Sequence, residues 1–255
     1  MLEPICYKKP FLTEVVVRVD FATALERLEK GTPVKLLTAI VSSFPIVEPP
    51  ADLAVHEVHI SDASVDRKTR ALKQRKFCSK DRTRELTLTG ESFFIQFKRY
   101  SSYAETREQF ETITAALCVE FPDAVASRFG LRYINQISID LPDPTRWSDY
   151  IDARLLASRN FIDAADELTR IITINELKYG DLGLRFQYGM PNPDHPAPIK
   201  QPLFVLDLDA SVNQAHSLND TLAYRDEGHT RIQNLFERSI TQTLREKMDV
   251  RPVQE

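Results

Sequence analysis

Polar and apolar residues alternate from Phe11 to Phe21, FLTEVVVRVDF, with Val15, Val17 and Val19 on one face and Glu14, Val16, Arg18 and Asp20 on the other. That is the period of a half-buried strand. The run from Thr23 to Phe44 reads as a helix that Gly31-Thr32-Pro33 splits in two. LAVHEVHI, Leu53 to Ile60, is a second strand. ALKQRKFCS, RELTLTG and SFFIQFKRY follow as three short extended runs separated by Lys80-Asp81 and Gly90-Glu91, which predicts an antiparallel meander. Ser102-x-x-Glu105 is a capping box ahead of Tyr103, Phe110, Ile113, Leu117 and Phe121, an apolar helical stripe closed by Pro122. A further strand is LRYINQISID.

Beyond Pro142 the pattern predicts a helix opening in DPTRWSDYI, paired strands in ELTRIITINEL and LGLRFQY, and another strand in PLFVLDLDA. GMPNPDHPAPIKQP holds five of the fifteen prolines and is a surface loop that cannot sit inside a sheet. The chain closes with one helix presenting Ile232, Leu235, Phe236, Ile240, Leu244 and Met248 on a single face. Short hairpin-linked strands without a strict strand-helix-strand rhythm give an α+β fold: antiparallel or mixed sheets in two similar-sized halves, helices packed on the sheet faces, and a long C-terminal helix. The halves are expected at 1–141 and 142–255, or fused into one continuous domain; no sequence repeat is evident.

Composition adds little: 42% hydrophobic, 27% charged and a net charge of −4 describe an ordinary globular protein. The placement of charge adds more. From Asp66 to Arg84 nine cations face two aspartates, so the segment carries +7 and leaves −11 for the remainder. No apolar run approaches the roughly eighteen residues needed to span a bilayer, and the N-terminus lacks the order of a secretory signal. Cys6, Cys78 and Cys118 form no C-x-x-C pair, which suits free thiols in a reducing compartment. A cytoplasmic protein is expected.

Candidate chemistry is sparse. With seven glycines the chain has no G-x-G-x-x-G or G-x-x-x-x-G-K phosphate loop, and no G-x-S-x-G elbow. His56 and His59 stand three apart on a strand, so they point to opposite faces. Asp207 and Asp209 share one strand face and have the spacing to hold Mg²⁺ with a third carboxylate such as Asp140. The competing reading places Phe204, Leu206 and Leu208 in the core and both aspartates in water. Glu14 and Arg18 echo the E-x-E-x-K strand of triphosphate-tunnel enzymes without its second glutamate. His229 has no visible partner. The basic stretch, Arg67, Lys68, Arg70, Lys73, Arg75, Lys76, Lys80, Arg82 and Arg84, is the candidate surface for a polyanion, with Phe77, Tyr100 and Tyr103 close enough in sequence to stack on bases. Cations on a sheet edge equally guard against edge-to-edge pairing.

Several phrases together, PFLTEVVVRVDF, RKFCSKDRTRELTLTGESFFIQFKRYSSYAETREQF, FGLRYINQISI, FVLDLD and HTRIQNLFERSITQTLREKM, resemble a sporadically distributed family of prokaryotic proteins of about this length, over almost the whole chain. That family carries no established activity to transfer. Its patchy distribution implies genes that travel with mobile or anti-phage defence loci. The expectation is a non-enzymatic binding protein, an accessory or sensor component that needs no cofactor and engages a protein partner, with homo-oligomerisation compatible with the C-terminal stripe. The alternatives are a nucleic-acid-binding protein using 67–84 and a metal-dependent phosphohydrolase using Glu14, Asp207 and Asp209.

Overall fold

The structure, a computed structural model, describes residues 6–60 and 65–251, the side chains of 56–60, 65–68 and 251 excepted. In chain order the elements are β1 (Cys6–Tyr7), β2 (Leu12–Phe21), α1 (Glu26–Lys30), α2 (Val34–Ile40), β3 (Ile46–Val47), β4 (Ala51–Ile60), β5 (Val65–Cys78), β6 (Arg84–Leu88), β7 (Ser92–Phe97), α3 (Tyr103–Glu120) and β8 (Val125–Ser138). They continue as α4 (Ala157–Asn160), β9 (Ile171–Tyr179), β10 (Leu182–Met190), β11 (Leu203–Val212), β12 (His216–Ser217), α5 (Asp220–Ser239), α6 (Gln242–Met248) and β13 (Val250–Arg251). The fold is α+β, built on one large antiparallel sheet in the order β3-β5-β6-β7-β2-β8-β11-β10-β9. β8 pairs with β2 on one side and β11 on the other, so the sheet runs unbroken across the 141/142 position.

Period-2 patterning decides which face is buried. Val15, Val17 and Val19 of β2, Phe93, Ile95 and Phe97 of β7, Phe129 and Leu131 of β8, and Leu206 and Leu208 of β11 all point to the same side and lose their solvent exposure there. The helices lie on this side: Phe110 of α3 stacks on Phe93, with centroids 5.8 Å apart, and meets Phe129 edge-on. Gly228 of α5 approaches so closely that an added Cβ would come within 3.2 Å of the Ala210 Cβ. The opposite side stays polar. Across it, in register, run Glu176, Arg185, Asp209 and Arg132, alternating in sign from β9 to β8.

Reading outward from the central β2–β8 pair, each flank adds its strands in reverse chain order, β7, β6, β5 on one side and β11, β10, β9 on the other. A long helix follows the innermost added strand of each, α3 after β7 and α5 after β11, with the two-residue β12 intervening in the second case.

The split of the Thr23–Phe44 segment stands as expected, and several other elements differ from the sequence expectation. The Thr23–Phe44 segment is two short helices, and α2 starts directly after Pro33. Ser102 caps α3 by accepting from the Glu105 N–H, but the Glu105 carboxylate turns outward to Arg84 at 2.6 Å instead of closing the box. DPTRWSDYI is not helical. Asp143 accepts from the Thr145 N–H and hydroxyl, both at 2.8 Å, and this turn buries Trp147 against Phe204. The expected single C-terminal helix is broken at Ile240, which is extended and bridges to Ile151; Thr241 then caps α6. β-branched Ile240 and a capping-competent Thr241 favour that break.

Candidate functional site

Three regions carry the candidate residues. The first is the basic stretch, which runs along β5 and through the turn into β6. The side chains of Arg67 and Lys68, like those of His56 and His59, lie outside the described residues. Six of the other seven cations have partners. Arg70 pairs with Glu91, Lys73 with Asp52 at 3.2 Å, Lys76 with Glu85 at 2.9 Å, Arg82 with Glu48 at 2.8 Å and Arg84 with Glu105 at 2.6 Å. Arg75 reaches under the sheet edge and donates to the carbonyls of Leu28 and Glu29. It thereby caps the negative end of α1. Lys80 stands exposed in the turn. Five of the described cations are thus met by carboxylates that surround the segment, and Phe77 sits in the core at 2% exposure, away from any base-stacking position.

The second region is the open face around β11. Asp207 and Asp209 share this face, and Phe204, Leu206 and Leu208 fill the other, as alternation requires. Asp207, however, does not face water. It is 6% exposed and clamped by Arg132, whose Nε and Nη2 donate to its two oxygens at 2.8 and 2.6 Å. Burial pushes the Asp209 carboxyl above the usual range, against the pull of Arg128 and Arg132. Asp140 follows the end of β8, whereas Asp207 sits opposite Ile134, so the three carboxylates do not converge. Among the described residues no group of three or more His, Cys, Asp or Glu is placed to hold a metal ion. Glu14 is committed to Gln96, which donates to it at 2.5 Å.

The third region was not legible as a unit. A cavity of about 80 Å³ lies on the helix side of the sheet, between β1, β8, α5 and α6. Its walls are largely apolar, and Asn135, His229, Gln233 and Glu237 bring the polar groups. His229 lies flat on Tyr103, 3.5 Å between centroids and 3° apart, and its Nδ1 is 3.1 Å from the Tyr133 hydroxyl. Tyr100 stands edge-on to Tyr133 at 5.9 Å. Burial pulls the His229 pKa down to about 4, with Arg225 adding to the effect and Asp226 opposing it. The imidazole is therefore neutral at pH 7. Burial likewise raises the Tyr133 phenol, which stays protonated, and the direction of its hydrogen bond with Nδ1 follows the imidazole tautomer.

Behind this stack lies a tie between the two long helices. Arg225 is fully buried beside Phe110, and its guanidinium donates to Asp226 at 2.9 Å, to Glu111 at 2.9 Å and to the Arg107 carbonyl at 3.3 Å. Tyr103 donates its hydroxyl to Asp226. At the other end of the cavity Glu237 accepts from the Tyr7 hydroxyl at 2.9 Å and from Arg245 Nε at 3.0 Å. Asn135, 5% exposed, lines the cavity and gives its Nδ2 to the Leu206 carbonyl at 3.3 Å.

Tyr100 and Tyr103, expected to offer their rings to nucleic acid, are turned instead into this seam. The available signal was Asn135, a carboxamide two positions after Tyr133 on the face that alternation assigns to the core. No family model matches the chain, and no curated protein matches it either, so the resemblance noted above rests on the residues that carry it.

Proposed function

We propose that the protein acts by binding and not by chemistry, as an accessory or sensor component that takes a small uncharged molecule into the cavity beneath α5 and presents its occupancy to a protein partner. The observation that carries this reading is the Asn135 carboxamide set in the wall of a largely apolar cavity. A polar group on an otherwise apolar wall fixes the orientation of a ligand that can hydrogen-bond to it. The neutral His229 imidazole on the same wall offers a second polar contact. Both charged groups near the space are already neutralised, since Glu237 is shared by Arg245 and Tyr7, and His229 is held neutral. That leaves no counter-charge for an ionic ligand and favours an uncharged ring bearing an amide or hydroxyl group. The mobile or defence-locus setting implied by the resemblance fits a sensor of this kind.

The test is ligand-observed NMR with benzamide and phenol as uncharged probes beside benzoate and benzylamine, on the wild type and on Gln233→Trp, which fills the cavity from its half-buried rim. The two uncharged probes are expected to bind the wild type and to lose binding in the variant while its circular dichroism is unchanged. Absence of binding by both, equal binding in the variant, or preference for a charged probe would overturn the proposal.

A further inference from the structure

We propose that β9 is a self-pairing edge, through which a second copy of this chain extends the sheet antiparallel about a two-fold axis at Thr173. The argument begins with the hairpin. β9 and β10 are joined by the two-residue turn Gly180-Asp181, and Tyr179 pairs with Leu182 to close it. The closing pair of a two-residue hairpin is hydrogen-bonded, and the register holds without a bulge to Ile171↔Met190. Alternation then turns the N–H and C=O groups of the odd-numbered residues inward to β10. Those of Ile172, Ile174, Glu176 and Lys178 point off the edge of the sheet, and none of the four makes another backbone hydrogen bond among the described residues.

The side chains on this edge do little to deny a partner. Ile172 and Ile174 are 43% and 49% exposed, two large apolar groups side by side on the polar face. Lys178, the residue best placed to guard the edge, donates instead to the carbonyl of Asp181 in its own turn at 2.8 Å.

Charge selects the register. With the axis at Thr173, Ile172 faces the partner's Ile174 and Arg170 faces the partner's Glu176, each twice. All four are pairs of even-numbered residues, so the outward N–H and C=O groups meet as hydrogen-bonded pairs. An axis at Ile174 would set Arg170 against the partner's Lys178. One at Asn175 would set both isoleucines against charges, the partner's Glu176 and Lys178. Only the first register joins apolar to apolar and cation to anion, and Glu176 already sits across from Arg185, so the bridge would extend an existing ladder of alternating charge.

Sedimentation velocity over a concentration series, with circular dichroism as the check on folding, tests this in the full chain. The wild type is expected to dimerise. Ile174→Lys and Arg170→Glu are each expected to weaken dimerisation at least tenfold, and Arg170→Glu combined with Glu176→Arg is expected to restore it. In a background with Cys6 and Cys118 changed to Ser, Thr173→Cys should form an interchain disulfide on oxidation and Asn175→Cys should not. A wild type that stays monomeric at tens of micromolar, a dimer indifferent to Ile174→Lys, or cross-linking through position 175 instead of 173 would overturn the proposal.

Discussion

On the β7-β6-β5 flank the outermost strand of the meander, β5, is fourteen residues long, and β3 and β4 pair with it along its outer side. Of its described cations, Arg70, Lys73 and Lys76 are held by surrounding carboxylates. On the β11-β10-β9 flank the order of strands is the same, yet among the described residues β9 pairs only inward, with β10, and carries exposed isoleucines. The two flanks also seat their helices differently. α3 rests on a large aromatic cluster, Phe110 against Phe93 and Phe129, whereas α5 comes close through Gly228 over Ala210 and Leu131. One topology therefore supports two solutions to each problem: charge or apolar surface at the edge, and bulk or close approach beneath the helix.

The largest effect is expected where the flanks meet. Asp226→Ala with Glu111→Ala strands the buried Arg225 charge and should cost about 3–5 kcal/mol in urea unfolding. Arg225→Met removes the charge as well and should cost clearly less, because Asp226 and Glu111 are both partly exposed and can rehydrate. Equal costs would mean that the tie is only packing. The contrast between the helix seats predicts a loss of about 3–5 kcal/mol for Phe110→Ala, from the cavity it leaves, against about 1–3 kcal/mol for Gly228→Val, from overpacking against Ala210. A Gly228→Val variant as stable as the wild type would show that α5 is not held by close approach.

pH probes the same seam more gently. The His229 pKa lies near 4 in the fold, below the ordinary 6.5, so the unfolded chain takes up the proton first. Stability present above pH 6.5 should accordingly be lost as the pH falls toward 4. In His229→Phe that slope should flatten. Asp81 and Asp152 are held at about 2 by hydrogen bonds, chiefly from Ser79 and Arg154, so any loss they cause comes below pH 4 and is separable. The smallest effect is expected on the basic flank. Lys73→Ala, which breaks an exposed pair with Asp52, should change stability by at most about 1 kcal/mol.

How much of this could be read in the sequence follows from the range of the interactions. β2, the β5-β6-β7 meander and the split of the first helix at Gly31-Thr32-Pro33 are set by local alternation and turn chemistry, and they stand where the pattern puts them. The Trp147 turn and the break at Ile240 were misread because apolar spacing alone cannot see an Asp143 side chain folding onto its own backbone or an Ile151 waiting across the chain. The cavity was the least legible. Tyr103, Tyr133 and His229 come from three distant segments, and only the closed sheet brings them into contact. The basic stretch was conspicuous in sequence for the opposite reason, since a one-dimensional count of charge omits Glu48, Asp52, Glu85, Glu91 and Glu105, which lie across from it in space.

The central pairing of β2 with β8 has a consequence for how the chain reaches this state. Val17 lies opposite Leu131, more than a hundred positions later, although β2 comes before every other strand of this sheet in the described chain. During synthesis the β7 side of β2 can close as soon as the meander emerges, but the other side must wait for β8. Contacts of such sequence separation slow folding. They also leave a valine-rich strand half-paired on the nascent chain, the stage at which misassembly competes with completion. The step that ends this exposure is the arrival of β8, so the length of chain between Phe21 and Val125 sets how long the growing protein remains vulnerable.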